Sequence, residues 1–258
     1  MMIERIAPQI PHDPSHAASL MQLVLLRHGE SEWNRDNRFT GWADVGLTKM
    51  GILQMREAGQ ALQAMGVQCD VVYTSVLKRC VHATWTVLEA MDRVWVPQIL
   101  DWRLNERHYG ALTGQSKSHA VTLFGEAEVL EWRRSFDVAP PALNHEASAF
   151  VPIDGRYADL DKTEIPLSES LRAATARVQL CWDSALIPAL QAGRSVLVVA
   201  HGNSLRALIK LIEGVEDQDI TGVEVDNGVP VVYQLNQRLE PVRKTTLALQ
   251  HRRPSEIL

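Results

Sequence analysis

The chain is short of paired cysteines, of excess positive charge and of long apolar runs, and each shortage excludes a class of protein. Cys69, Cys80 and Cys181 form no Cys-x-x-Cys pair, and one is left over from any single disulfide. A reduced, cytoplasmic protein is expected rather than a secreted one. As small hydrophobes the three are expected in the core. Lys and Arg number 26 against 31 Asp and Glu, a formal net charge of -5 at pH 7, which argues against nucleic acid or an anionic membrane as the main partner. Any bound anion must therefore be met by a local cluster of cations. No apolar run is long enough to span a bilayer. HExxH, short repeats and low-complexity tracts are all missing.

With 258 residues and 46% hydrophobic composition, the chain can bury a full core as one large domain, or one domain carrying an insertion. Residues 1–20 hold three prolines and no continuous apolar segment, so they are expected to be a disordered extension and not a secretory signal. Met21 directly precedes the first apolar run. Folding is expected to begin there, with the preceding residues an extension or a misassigned start. The tail from residue 250 to 258 is polar and is expected to be mobile.

Leu23–Leu26 is a short continuous apolar run, as a strand buried on both faces requires, and it stops at Arg27-His28-Gly29. Ser195–Ala200 repeats the layout, ending in His201-Gly202-Asn203-Ser204. Val71–Tyr73, Val94–Leu100, Val229–Leu235 and Val242–Leu249 read as further strands, with Pro97 placing the third at an edge or ending it early. Helices are expected from Thr48 to about Met65, after a Thr74-Ser75 cap with Leu77, Val81, Thr84, Leu88 and Met91 inward, and from Ser168–Ser170 to Pro188. Another should follow His201, with Leu205, Leu208, Ile209 and Ile212 on one face. Glu30–Asp44 reads as an ordered loop lining the site. Strands alternating with helices imply an α/β three-layer sandwich, a mostly parallel sheet flanked by helices. The change of character between about 112 and 151, with helical pieces at 117–124 and 126–136, implies a helical insertion covering the site.

Parallel strands bring their carboxyl ends to one edge, so His28 and His201 should meet. A metal site is disfavoured, because a third ligand is missing and Arg27 beside His28 would repel a cation. Arg27, Arg79, Arg107, Arg133 and Arg134 instead suit phosphate or carboxylate recognition. Arg79 lies in the first turn of its helix, where positive charge opposes the dipole. It is either merely solvated or shares an anion with the helix terminus.

Taken together, LVLLRHGESEWN, FTGWADVGLT, YTSVLKRCVHA, LNERHYGALTG, EWRRSFDVAPP, PLSESL and VVAHGNSLRALIK, in that order from about Leu23 to Tyr233, resemble the cofactor-dependent phosphoglycerate mutases of the histidine phosphatase superfamily. The resemblance implies that His28 is the phosphoryl-accepting nucleophile, that Arg27, Arg79 and His201 hold the transferring group beside Asn34 and the Gly202 backbone, and that Glu106 is the general acid/base. It implies that Arg107, Tyr109, Lys117, Arg133 and Arg134 bind the substrate's carboxylate and second phosphate, with Ser31, Thr40, Gly41 and Asn203 also lining the pocket.

The implied reaction is interconversion of 3-phosphoglycerate and 2-phosphoglycerate, primed by 2,3-bisphosphoglycerate as cofactor, without a metal, in a cytoplasmic homodimer or homotetramer. A bisphosphoglycerate synthase or phosphatase is a close rival, although synthase-type relatives tend to have Gly where this chain has Ser31, and Cys-Ser where it has Thr40-Gly41. The same fold could also carry a broad phosphatase, or a catalytically silent phosphate-binding scaffold. The N-terminal extension, a tail after Leu247 without the usual Gly-containing segment, and Val225-Asp226-Asn227 before Gly228 depart from the family pattern.

Overall fold

A computed structural model describes residues 20–247 and 249. The expectations for residues 1–19 and for the tail from residue 250 lie outside the described residues. Six strands form one sheet: β1 (Met21–Arg27), β2 (Val71–Thr74), β3 (Gln98–Leu100), β4 (Val196–Ala200), β5 (Pro230–Leu235) and β6 (Pro241–Thr246). Their spatial order is β3-β2-β4-β1-β5-β6. The first four run parallel, and β5 and β6 are antiparallel additions at one side.

Side chains on successive strand residues point to opposite faces, and both faces of this sheet are covered. Leu23 and Leu25 of β1, with Val196 and Val198 of β4, belong to one core cluster. Val24 and Leu26, with Leu197 and Val199, belong to the other. That double burial explains why these strands read as unbroken apolar runs and not as alternating ones.

The helices are α1 (Glu32–Arg35), α2 (Lys49–Ala64), α3 (Lys78–Ala90), α4 (Lys117–Phe124), α5 (Glu126–Arg134), α6 (His145–Ser148), α7 (Leu171–Cys181), α8 (Ile187–Gln191) and α9 (Gly202–Glu213). Met55, Ala58 and Leu62 of α2 and Ala83, Val87 and Leu88 of α3 cover one face of the sheet. Val178 and Cys181 of α7 and Leu205, Leu208, Ile209 and Ile212 of α9 cover the other. All three cysteines are buried and free.

Several expectations are corrected. The third strand is only three residues long, because residues 93–96 form a turn, the Val96 N–H donating to Arg93 O at 3.1 Å, and β3 starts after Pro97 at the sheet edge. Thr74 and Ser75 do not cap α3: its N-cap is Leu77, whose N–H donates to Ser75 Oγ at 3.2 Å. Of the expected inward face of α3, Leu77, Thr84, Leu88 and Met91 are buried but Val81 is only half-buried, and Cys80, Ala83 and Val87 are buried in addition. Pro188 does not close the helix that Ser170 caps. It sits in the first turn of α8, where a proline needs no N–H partner, and a π-helical turn over Trp182–Leu186 joins α7 to α8. The 126–136 helix ends at Arg134, and the loop after Glu30 contains α1.

Candidate active site

The strand register builds the site. Arg27 is the partner of Ala200 in the β1–β4 ladder, so His28 and His201 leave the sheet side by side. The His28 N–H donates to Ala200 O at 3.0 Å, and the two rings lie edge to face with centroids 5.0 Å apart. The close approach of α2 makes glycine necessary here. A Cβ on Gly29 would lie 2.1 Å from Gly51 O, and one on Gly51 would lie 2.1 Å from Glu30 O.

His28 Nδ1 is 2.7 Å from Gly29 O. A carbonyl only accepts, so Nδ1 carries the proton and Nε2 keeps its lone pair for an electrophile. Burial, then the Arg79 and Arg27 charges, hold the His28 pKa well below its ordinary 6.5. The imidazole is therefore neutral at pH 7, as a nucleophile must be. His201 is buried and also held well below 6.5, by burial first and then by Arg79 and His28. Its Nε2 is 2.9 Å from Ser75 Oγ, which itself donates to Asn105 Oδ1 at 2.7 Å. Ser75 thus accepts from His201, and the ring is fixed in the Nε2–H tautomer.

Arg79 is 1% exposed and donates to Ala43 O and Gly41 O, each at 2.7 Å. It is not a solvated surface charge: two carbonyls of the loop 39–44 hold it in the pocket wall. Arg27 Nη1 donates to Val225 O at 2.8 Å while its buried Nε has no partner among the described residues. Thr40 Oγ1 is likewise buried and unpaired. Buried donors without partners are rare, and both residues line the same cavity, so both are placed to serve an anion. Ser31 caps α1 reciprocally with Asn34, and Asn34 Oδ1 is occupied by Ser31, which leaves its Nδ2 donors for the pocket.

Glu106 stands on the loop before Gly110, its Oε1 accepting from the Arg107 N–H at 2.8 Å and the Asn203 N–H at 3.2 Å. Tyr109 accepts from Asn203 Nδ2 at 3.3 Å. Burial alone would raise the Tyr109 phenol, but Arg107 outweighs it and holds the pKa below the ordinary value.

These side chains enclose a cavity of about 220 Å³. Of the residues expected at the site, Arg27, His28, Ser31, Asn34, Thr40, Gly41, Arg79, Glu106, Tyr109, Lys117, Arg133, Arg134, Gly202 and Asn203 line it. His201 and Arg107 do not. His201 packs edge to face on His28 and is wholly buried. Arg107 is 1% exposed and packs its guanidinium 4.7 Å over the Tyr109 ring, with its buried Nε and Nη2 lacking a hydrogen-bond partner among the described residues. Lys117 from α4 and Arg133 and Arg134 from α5 bring the 112–151 segment onto the rim. Lys117 donates to Asn37 Oδ1 at 2.8 Å, and burial and then Arg133 lower its pKa.

Three lining residues were missed: Arg38, Phe39 and Arg206. Arg206 was legible, since it follows Asn203 by one helical turn on α9 and donates to Asn203 Oδ1 at 2.7 Å. Arg38 and Phe39 carried no signal beyond lying next to Thr40. Among the described residues no three His, Cys, Asp or Glu converge so as to hold a metal ion, and no helix is long and apolar enough to cross a membrane.

The family model for the histidine phosphatase superfamily, branch 1, matches residues 23–243. The chain belongs to that superfamily. Its fold is shared by solved structures of this kind. A mycobacterial glucosyl-3-phosphoglycerate phosphatase aligns at 21% identity with a TM-score of 0.66, over 88% of this chain and 97% of that one. The α-ribazole phosphatase of Shigella flexneri aligns at 25% identity with a TM-score of 0.65, over 90% and 96%. Bacillus stearothermophilus YhfR aligns at 20% identity with a TM-score of 0.64, over 84% and 92%. Members of the superfamily are phosphoryl-transfer enzymes, which agrees with a neutral His28 facing unpaired anion-binding groups.

Proposed function

We propose that the protein interconverts 3-phosphoglycerate and 2-phosphoglycerate by phosphoryl transfer through His28. One observation carries this: among the described residues seven cations, Arg27, Arg38, Arg79, Lys117, Arg133, Arg134 and Arg206, line the cavity against a single carboxylate, Glu106. In a chain of net charge -5 that is a strong local inversion. A lone phosphate needs Arg27, Arg79 and His28, whereas the further cations match a second anionic group on the same small molecule.

In the proposed reaction His28 Nε2 attacks the phosphorus of the bound ester and the P–O bond to the substrate breaks. The departing oxygen takes a proton from Glu106, while the Nδ1–H stays on Gly29 O. In the reverse half-reaction Glu106 takes the proton of a glycerate hydroxyl as that oxygen attacks the phosphoryl group on His28. Arg27 and Arg79 neutralise the charge spread over the transferring oxygens. The role of 2,3-bisphosphoglycerate would be to supply the first phosphoryl group. The unpaired Arg27 Nε and Thr40 Oγ1 and the rim cations fit a molecule with two phosphates and a carboxylate. A cytoplasmic location, no nucleic-acid or membrane partner, and a homodimeric or homotetrameric assembly belong to the same proposal.

A phosphatase is the second reading, and the names of two aligned structures favour it. Water in place of a glycerate hydroxyl would use the same His28 and Glu106 and release inorganic phosphate. A coupled assay on 3-phosphoglycerate separates the two. Formation of 2-phosphoglycerate that depends on added 2,3-bisphosphoglycerate supports the mutase; release of inorganic phosphate alone supports the phosphatase.

A further inference from the structure

Glu106 carries its role from an irregular loop, residues 101–109, in which only 102–104 form a helical turn. Irregular backbone leaves carbonyls that need donors. Arg177 on α7 supplies them. Its Nη1 donates to Arg103 O at 2.7 Å and to Asn105 O at 3.2 Å, and its Nη2 donates to Glu106 O at 3.3 Å. Glu169, just before α7, pairs with the same guanidinium through two bonds of 2.7 Å. The other side of the loop is tied to Glu169 as well: the His108 N–H donates to Glu169 Oε2 at 2.8 Å, and the Glu169 N–H to His108 O at 2.9 Å. Trp42 Nε1 is a second donor to Glu106 O, at 2.6 Å, and its ring lies under the Arg177 guanidinium at 5.6 Å.

We propose that the buried Glu169–Arg177 pair is a positioning device that fixes the Glu106 carboxylate for proton transfer. Neither residue of the pair lines the cavity; it reaches the site only through the backbone that carries Glu106. It brackets Glu106 from both chain directions, at residues 103–106 and at 108. Arg177 is suited to this and Lys is not, because three carbonyls and a carboxylate at once require a planar set of five donors. The proposal rests on Glu106 serving as general acid in phosphoryl transfer.

That dependence on a proton separates a positioning role from a general loss of structure. Transfer from an alkyl phosphate, such as phosphoglycerate, needs a proton on the departing oxygen. Transfer from p-nitrophenyl phosphate does not, because p-nitrophenolate leaves as a stable anion. In both cases Nε2 of His28 forms the N–P bond and the ester O–P bond breaks. Only the destination of a proton differs.

The experiment measures single-turnover phosphorylation of His28 from both substrates in the wild type, Arg177→Lys, Glu169→Gln and Glu106→Gln. The expected result is a loss of about 10–100-fold for phosphoglycerate in the Arg177 and Glu169 variants, against less than about threefold for p-nitrophenyl phosphate. KM should be nearly unchanged, the pattern following Glu106→Gln. Equal losses on both substrates, or none on either, would overturn the proposal. If the single variants do not fold because a buried charge is left alone, Glu169→Met/Arg177→Met removes both charges together and the same comparison is made. A wild-type enzyme that phosphorylates His28 from neither ester contradicts the phosphoryl-transfer reading. Selective loss in Glu106→Gln with no selective loss in the Arg177 and Glu169 variants contradicts the positioning role alone.

Discussion

The rings of His28 and His201 meet edge to face with centroids 5.0 Å apart because the residues just before them, Arg27 and Ala200, are partners in one parallel ladder. The sheet fixes the proposed nucleophile and its neighbouring ring before any ligand arrives, so little ordering remains to be done at binding.

Buried neutral histidines make stability depend on pH. Burial holds His28 and His201 well below 6.5, and pulls His108 down from 6.5 to about 4. The unfolded chain therefore binds protons that the folded chain refuses. Stability is fully present above 6.5 and is lost as pH falls below it, by up to about 1.4 kcal/mol per pH unit for each histidine. Urea unfolding at pH 7.5, 6.0 and 5.0 should show this fall. His108→Asn should make it shallower, and an unchanged slope would remove His108 from the explanation.

The rim cations should act on affinity and leave the chemistry alone. Arg206→Met is expected to raise KM for phosphoglycerate about tenfold, equivalent to about 1.4 kcal/mol, while kcat changes little. KM for p-nitrophenyl phosphate, which has no second anionic group, should move less than twofold. Equal effects on the two esters would place Arg206 in phosphate binding and not in recognition of the second anion.

Gly51 tests the contact that seats α2 against the loop after His28. In an ordinary helix, Gly to Ala stabilises by roughly 0.5–1 kcal/mol. Here the new Cβ would meet Glu30 O at 2.1 Å, so Gly51→Ala is expected to destabilise by about 1–3 kcal/mol. A melting experiment should register a drop of roughly 2–10 °C for a domain of this size. A raised melting temperature would mean the contact yields.

Glu106→Gln keeps the two backbone bonds to Arg107 and Asn203 available but removes the transferable proton. Turnover of phosphoglycerate is expected to fall by about 10²–10⁴-fold with KM within a few-fold of wild type. Steady-state kinetics check this directly; unchanged kcat would take Glu106 out of the mechanism.

What could be seen in the amino-acid order divides along physical lines. The β1 and β4 runs were legible because strands buried on both faces are continuously apolar, and they carried His28 and His201 with them. Helix boundaries at Thr48 and Ser170 were legible because a hydroxyl on the N-cap accepts a backbone N–H, as both do here. Pro188 misled because a proline at the start of one helix looks like the end of another when a π-helical turn joins them. That Arg107 stands behind Tyr109 and not in the cavity wall was not legible, because residue type and motif position do not say which way a guanidinium turns. Glu169 and Arg177 escaped notice because, beyond each other, they bond backbone groups of the loop, the His108 N–H for Glu169 and carbonyls for Arg177, which leave no mark in the sequence.

The most direct test labels His28 with a phosphoryl group from 2,3-bisphosphoglycerate and then adds unlabelled 3-phosphoglycerate. Acid-labile label should appear on the wild type, be absent in His28→Ala, and be chased into phosphoglycerates faster than it is lost to water. Label that never forms, that persists in His28→Ala, or that leaves only as inorganic phosphate would contradict the mutase proposal.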